Sequence, residues 1–454
     1  MKILGRQVDR GEPHRPYFAD LNAMLRRAEV ASPALLVDLD HLEDNCRAVL
    51  TRVPEGVKPR VVVKSLPSIP LIEKVMSYLN TDGVMVFHWP FLRTVFRQIP
   101  NAKILLGKPL PIAGLKRFFE AMPAIDRNRA EGQIQWLLDT EARLLQYLEF
   151  AKTSGIRLNI SLEIDIGLHR GGLTTRSSLE SALALIQDHP EQLKFSGFMG
   201  YDPHVAKAPL PWRVAASYGA SQRKYAQMIQ WGRSAFPALF EGTLTFNGAG
   251  SPTYALHCQG TVANDLSLGS ALVKPLDFDL PTLKHHRPAA YIATPVLKNL
   301  EGPTVPYLEF AKPLWQWWDP NKERAFFIYG GYWKAAPCSP RGLSFNNLYG
   351  RSSNQEMVCG SLQVGLEVDD FIFFRPQQSE AVFLEFGEIL AVKGCRLVET
   401  WAPLSQGQQT GKESAMLPKE HQGADSKKED TQGKTTRKKT HSRKGQQQEL
   451  PVRV

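Results

Sequence analysis

Short apolar runs separated by longer amphipathic ones give the chain its rhythm. The short runs are "RVVVK" (60–64), "GVMVF" (83–87), "KILLG" (103–107), "IQWLLD" (134–139), "LNISLEID" (158–165), "FSGFMG" (195–200), "LTFNG" (244–248) and "LSLGSALV" (266–273). Continuous apolar runs of this length predict strands buried on both faces. Between them, in "IPLIEKVMSYLN", "PIAGLKRFFEAM", "EARLLQYLEFAKTSG", "SLESALALIQDH" and "ASQRKYAQMIQWGRSAF", apolar residues recur at every third or fourth position. That is the period of a helix packed by one face. Gly155 follows "LLQYLEFAKTS", where a helix C-cap belongs. Strand–helix alternation of this extent predicts an α/β chain with a closed parallel (β/α)8, TIM-like barrel. An open doubly wound sheet is the alternative, but it would show fewer strands and a GxGxxG near its first turn.

Two regions break the alternation. "ALLVDLD" (34–40) precedes the first barrel strand and is expected to pair with something distant in sequence. After about residue 285 the pattern turns to short strands with turns, in "AAYIATPVLKN", "RAFFIYGGYW", "FIFFRP" and "AVFLEFGEILAVKGCRLVETW". This predicts a C-terminal antiparallel β domain. The expected organisation is an N-terminal extension (1–30), a barrel (31–285) whose strand 34–40 joins the β domain, the β domain itself (286–404), and a tail (405–454).

Composition changes this picture little. Of the 454 residues 43% are hydrophobic and 22% charged, ordinary for a globular protein. No apolar run reaches the ~18 residues of a membrane span, and the first residues show no secretory signal. The five cysteines, Cys46, Cys258, Cys338, Cys359 and Cys395, are scattered without a CxxC, which suits a reducing cytoplasm. The net charge of +10 owes much to "KKEDTQGKTTRKKTHSRKGQQQELPVRV". That segment has too few large apolar residues to offset ordering and reads as a disordered basic tail. It is a solubilising extension or a weak nucleic-acid contact.

Candidate chemistry comes from the strand ends, because the C-terminal mouth of such a barrel carries the active site. Lys64 ends the first barrel strand. Either its amine snorkels to solvent, or the barrel desolvates it and frees it as a nucleophile toward carbonyls. "DIGLHRGG" (165–172) follows the fifth strand and carries Arg170, a fixed charge for a phenolate or carboxylate, or a salt bridge to Asp165. "YDPH" (201–204) follows the sixth, with the aromatic face of Tyr201 and the titratable His204. "NGAGSPT" (247–253) follows the seventh: Gly248, Gly250, Ser251 and Thr253 form an anion cradle or a simple tight turn. An amine, a cradle, an arginine and an aromatic ring around one mouth fit pyridoxal phosphate (PLP).

At these residues the chain resembles the fold-type III PLP enzymes, the alanine racemase N-terminal domain superfamily. It is most similar to the D-threonine aldolase and D-serine dehydratase group. "SPALLVDLDHLEDN", "RVVVKS", "EIDIGLHRGGL", "GFMGYDPH", "NGAGSPT" and "NDLSLGS" carry the likeness, in order, over residues 30 to 404. The resemblance implies that Lys64 holds the cofactor as a Schiff base and that Arg170 lies near its phenolic oxygen. It implies that Tyr201 stacks on the ring, that Gly248, Gly250, Ser251 and Thr253 take the phosphate, and that His204 is a second catalytic base beside Lys64. It also implies a homodimer.

Three departures from the group stand out. In "FRPQQSEAVFLEF", Gln378 and Glu380 occupy the places where the group has a histidine and a cysteine or aspartate holding a divalent metal. An amide oxygen is a poor zinc ligand, so no such zinc site is expected, and Glu380 is left to hold at most a harder ion. Val62, Leu66 and Pro67 stand around Lys64 where relatives often have a second lysine and histidines. Ser267 takes the place of the racemases' arginine facing the pyridine nitrogen. "YGRSSNQEM" (349–357), with Gln355 and Glu356, reads as a substrate loop or a polar surface turn. The expected reaction is deamination (dehydratase) or aldol cleavage of a D-amino acid. An amino-acid racemase, a non-catalytic PLP carrier and a nucleic-acid-associated protein are the other readings. No membrane partner is expected.

Overall fold

The computed structural model of the chain describes residues 6–405 apart from Ala121, Asn347 and Tyr349. The basic tail expected from 405 onward lies, from residue 406, outside the described residues. Eight parallel strands close into a barrel: β2 (Lys58–Val62), β3 (Gly83–Val86), β4 (Lys103–Leu106), β5 (Ile134–Leu138), β6 (Leu158–Glu163), β7 (Leu193–Met199), β8 (Thr245–Gly248) and β9 (Asp265–Leu268). Each pairs with the next, and β9 pairs back onto β2. Before them comes β1 (Ala34–Asp38), which belongs to a second, mostly antiparallel sheet.

The helices form where the apolar period placed them, and local chemistry sets their ends. Thr140 caps the helix Glu141–Ser154 by accepting from the Arg143 amide. Gly155 closes it at φ +62°, a conformation without steric cost only for glycine. Helix Ile69–Leu79 starts with Pro70 in its first turn and ends on Asn80 in the left-handed region. Their apolar faces pack on the outward residues of the strands: Val61, Val84 and Val86, with Val63 just beyond β2, lie in one buried cluster with Leu71, Ile72 and Val75. Inward positions alternate with these. Val62, Met85 and Leu105 fill the barrel on the β2–β4 side, and Ser161, Asn247, Asp265 and Ser267 are buried polar residues of β6, β8 and β9.

Two expected strands end early. The run 60–64 stops at Val62, and Val63–Ser65 turn as a single 3-10 turn. The run 266–273 stops at Leu268, and Ser270–Val273 form a helical turn. Both tails are apolar enough to extend a strand by composition, but each must leave the barrel wall to reach the next helix. Likewise "AVFLEF" begins within a short helix, Ser379–Val382, rather than a strand.

The second sheet contains β10 (Ala290–Leu300), β11 (Arg324–Tyr329), β12 (Ala335–Ser339), β13 (Ser344–Phe345), β14 (Gln355–Gly360), β15 (Phe371–Pro376), β16 (Ile389–Lys393) and β17 (Arg396–Trp401). β1 lies inside it, antiparallel to β10 and parallel to β16. Alternation along β1 explains its continuous burial. Leu35 and Val37 join the cluster shared with the barrel, and Leu36 joins Leu21, Met24 and Leu25 of the helix Pro16–Arg27 on the other face. Residues 355–357 of the supposed polar loop are strand, paired with β11.

Candidate active site

The C-terminal ends of the barrel strands surround a cavity of about 610 Å³, measured out to its open mouth. Lys64 lines it. With Val62 facing inward, the next inward place falls on residue 64, and the 3-10 turn keeps the side chain over the barrel mouth. Its Nζ lies 5.0 Å from the centre of the Phe87 ring and donates to Glu380 Oε1 at 3.0 Å. Ser65 Oγ donates to the same oxygen at 3.1 Å. Behind it Ser270 Oγ donates to Ser65 Oγ at 3.0 Å and meets Ser379 Oγ at 3.3 Å. Burial alone would raise the Glu380 pKa, but the Lys64 charge and these hydrogen bonds outweigh it and hold the carboxyl below its ordinary value.

The loop after β8, two strands round the barrel from Lys64, lines the same cavity. Ala249 takes a left-handed φ of +63°, strain of the kind that concentrates where a loop is shaped for a ligand. Gly250 lies so near Tyr201 that a Cβ there would stand 2.6 Å from the ring. Ser251 Oγ accepts from the amides of Gly269 and Ala271, each at 3.0 Å. A hydroxyl that accepts twice still has its own proton to donate. Ser267 Oγ accepts from Asn247 Nδ2 at 2.8 Å, and Asn247 also donates to Asp265 Oδ1 at 2.5 Å. Ser267 therefore likewise keeps its proton for the cavity it lines.

Arg170 lies over the Tyr201 ring, its guanidinium carbon 4.9 Å from the ring centre. The salt bridge to Asp165 does not form. Asp165 is taken by the His169 ring at 2.7 Å, by the amides of Gly167 and His169 at 3.0 Å each, and by Lys224 at 3.8 Å. Below Arg170, Glu163 at the end of β6 is buried. That burial, opposed by Arg170 and reinforced by Asp139 and Asp165, pushes its pKa up to about 7.

The structure brings Lys64, Arg170, Tyr201, Gly250, Ser251 and Glu380 around one cavity. It does not bring His204, Gly248 or Thr253 to its lining. The chain bends after Asp202 into the turn Val205–Lys207, so the His204 ring falls behind Gly167, with Nε2 3.3 Å from Ser221 Oγ. Burial lowers the His204 pKa. Thr253 is fully buried and donates to Asp202 Oδ1 at 2.5 Å, holding the loop from beneath. Gln378 points away from Glu380, bonded to Asp277 and Lys334. No cluster of three or more His, Cys, Asp or Glu residues able to hold a metal occurs among the described residues. Glu356 is buried against Arg351 and accepts from the Tyr332 amide, so it is no loop contact. Sequence reasoning passed over Ser65, Phe87, Ser270 and Phe278, all of which line the cavity. Phe87 was findable as the next inward position after Met85, and Ser65 as the neighbour of Lys64.

A closed parallel barrel with a lysine at its mouth, joined to a mostly antiparallel sheet that recruits an N-terminal strand, defines the alanine racemase-like fold. The sequence model described as alanine racemase, N-terminal domain, matches residues 37–274, more than half of the chain. The chain belongs to that family, whose structural neighbours here are fold-type III PLP enzymes. Among solved structures, D-threonine aldolase from Filomicrobium marinum is similar at 19% identity and a TM-score of 0.64, over 83% of this chain and 95% of that one. D-threo-3-hydroxyaspartate dehydratase from Delftia sp. HT23 is similar at 15% identity and 0.63, over 82% and 97%. Alanine racemase from Bacillus anthracis is similar at 13% identity and 0.62, over 82% and 98%. At these identities the likeness shows the fold. No curated protein matches the sequence significantly. No helix among the described residues is long and apolar enough to cross a membrane.

Proposed function

We propose that the chain is a PLP-dependent enzyme that acts on a β-hydroxy amino acid of D configuration, by deamination with loss of water or by aldol-type cleavage. The observation that carries this is the Lys64 amine at the mouth of the closed barrel, sharing the cavity with the Ala249–Ser251 loop, which is strained at Ala249. The residues fit the cofactor. Lys64 would hold its carbonyl carbon, Ser251 and the neighbouring backbone its phosphate, Tyr201 its ring and Arg170 its phenolic oxygen. Gly250 leaves the Tyr201 ring room to lie close. Ser267, with a proton to donate, suits an unprotonated ring nitrogen. When bound, PLP takes up the electron pair left at Cα as a bond there breaks.

The protein's own part is to bind, orient and move protons. The apolar wall of Val62, Met85 and Phe87 limits water, and the Lys64 amine takes a proton from the substrate. Lyase chemistry is favoured over racemisation because Ser267, which lines the cavity, stands where the resemblance places the racemases' arginine. The D configuration and a homodimeric assembly rest on the resemblance to the aldolase and dehydratase group. The test is reconstitution of the purified chain with PLP, followed by borohydride reduction, peptide mapping, sedimentation and a panel of D- and L-amino acids. The expected result is a dimer with cofactor mass fixed on Lys64, no fixation in Lys64→Ala, and keto acid or aldehyde from D-serine or D-threonine. Fixation on another lysine, or no product from any of the amino acids, would overturn the reading.

A further inference from the structure

Lys64 and Glu380 stand 316 residues apart in the chain and meet at 3.0 Å in the cavity. The carboxylate is not used symmetrically. Oε1 receives both the Lys64 amine and the Ser65 hydroxyl, whereas no other side chain among the described residues is recorded as donating to this carboxylate, and Glu380 lines the cavity. The serines behind it point one way. Ser270 gives its proton to Ser65, so Ser379 must be the donor to Ser270, and each hydroxyl polarises the next toward the carboxylate. All three serines are buried. They fix one carboxylate oxygen and leave the other to a ligand.

We propose that Glu380 is the acid–base partner of Lys64, taking the proton of the Lys64 ammonium and giving it to the β-oxygen that leaves the substrate. The inference rests on the PLP reading above. The bookkeeping closes on the pair itself. Transfer of one proton converts the ammonium and carboxylate into a neutral amine and a carboxylic acid. The amine then takes the α-proton, and the electrons of the Cα–H bond form a Cα=Cβ bond. The Cβ–O bond breaks with its pair going to oxygen, and Glu380 supplies the proton that completes water. The pair ends this step as it began, as ammonium and carboxylate, with no oxidant or reductant needed.

Burial works in the same direction. With the lysine charge removed, the desolvation that Lys64 now outweighs is left to favour the protonated carboxyl. Ser65 and Ser270 are positioning residues that act through Glu380.

The test compares wild type and Glu380→Gln, both reconstituted with PLP, on D-serine and on β-chloro-D-alanine. Chloride leaves without a proton, so the chloro compound calls on Glu380 only to free the Lys64 amine, whereas the hydroxyl substrate needs its proton as well. The expected result is cofactor fixed on Lys64 in both proteins, a 10²–10⁴-fold loss of kcat on D-serine in the variant, and a far smaller loss on the chloro compound. Equal losses on both substrates would make Glu380 only a prop for Lys64 and overturn the proposal, as would no loss on either. Wild-type turnover that a chelator abolishes and a divalent metal restores would also overturn it. A wild type that binds PLP on Lys64 but converts neither substrate overturns this inference and leaves the cofactor assignment standing. Failure to bind PLP removes both.

Discussion

The two ends of the barrel each hold an ion pair, and the pairs are built differently. At the end away from the cavity Arg60 forms a fork with Asp265, at 2.7 and 2.9 Å, and also donates to the carbonyls of Val84 and Lys103. Both side chains are less than a tenth exposed. At the cavity end, Lys64 meets Glu380 through a single contact, with about a third of each side chain exposed. A guanidinium with four donated hydrogen bonds to β3, β4 and β9 is a strut that cannot let go without leaving buried charge. A lysine on one contact is a partner that can be exchanged. The strut also reaches the site, because Asp265 accepts from Asn247, which orients Ser267.

Breaking the strut gives the largest expected effect. Arg60→Leu strands the Asp265 charge and should cost about 3–5 kcal/mol of stability by denaturant titration. A loss under about 1 kcal/mol would show the two pairs to be equivalent.

Glu163 sharpens the contrast, since it is a buried acid at the open end with no ion-pair fork. Its folded-state pKa of about 7 lies above the unfolded value of 4.5. The folded state therefore holds the proton more tightly. Its stabilising contribution is full below the unfolded value and is lost as pH rises through about 7. By linkage the swing is on the order of 3 kcal/mol. Glu163→Gln should flatten stability against pH between 5 and 8, and an unchanged slope would count against it.

The smallest effect is expected of Lys64→Ala. A partly exposed pair contributes roughly 0–1 kcal/mol, so thermal melting of this variant should stay close to wild type while cofactor fixation disappears. A collapse in stability would make Lys64 a strut as well.

This contrast also marks what could be read from sequence. Lys64, Arg170, Tyr201 and the Gly250–Ser251 loop lie where strands end, and strand ends are visible as interruptions of apolar runs. The barrel was legible for the same reason. Which side of a loop faces the cavity was not: Gly248, Thr253 and His204 sit within one to three residues of lining positions, yet they support the loops or lie behind them. Glu380 was legible as a carboxylate at a metal-ligand place, able to hold a harder ion, but its meeting with Lys64 was not, because that depends on the docking of the second sheet. Turns that continue an apolar run, such as Val63–Ser65 and Ser270–Val273, hid the true strand ends. The strand Gln355–Gly360 starts in polar residues and owes its form to β11.

The placement of β1 has a consequence for how the molecule is made. Leu35 faces Ile292 on one side and Ile389 on the other. During synthesis this strand leaves the ribosome before any barrel strand, yet its parallel neighbour emerges about 350 residues later. The barrel, whose strands are contiguous from Lys58 to Leu268, is complete before either neighbour of β1 exists. Until then an apolar strand waits with two open edges. The residue that meets Lys64 arrives 316 residues after it.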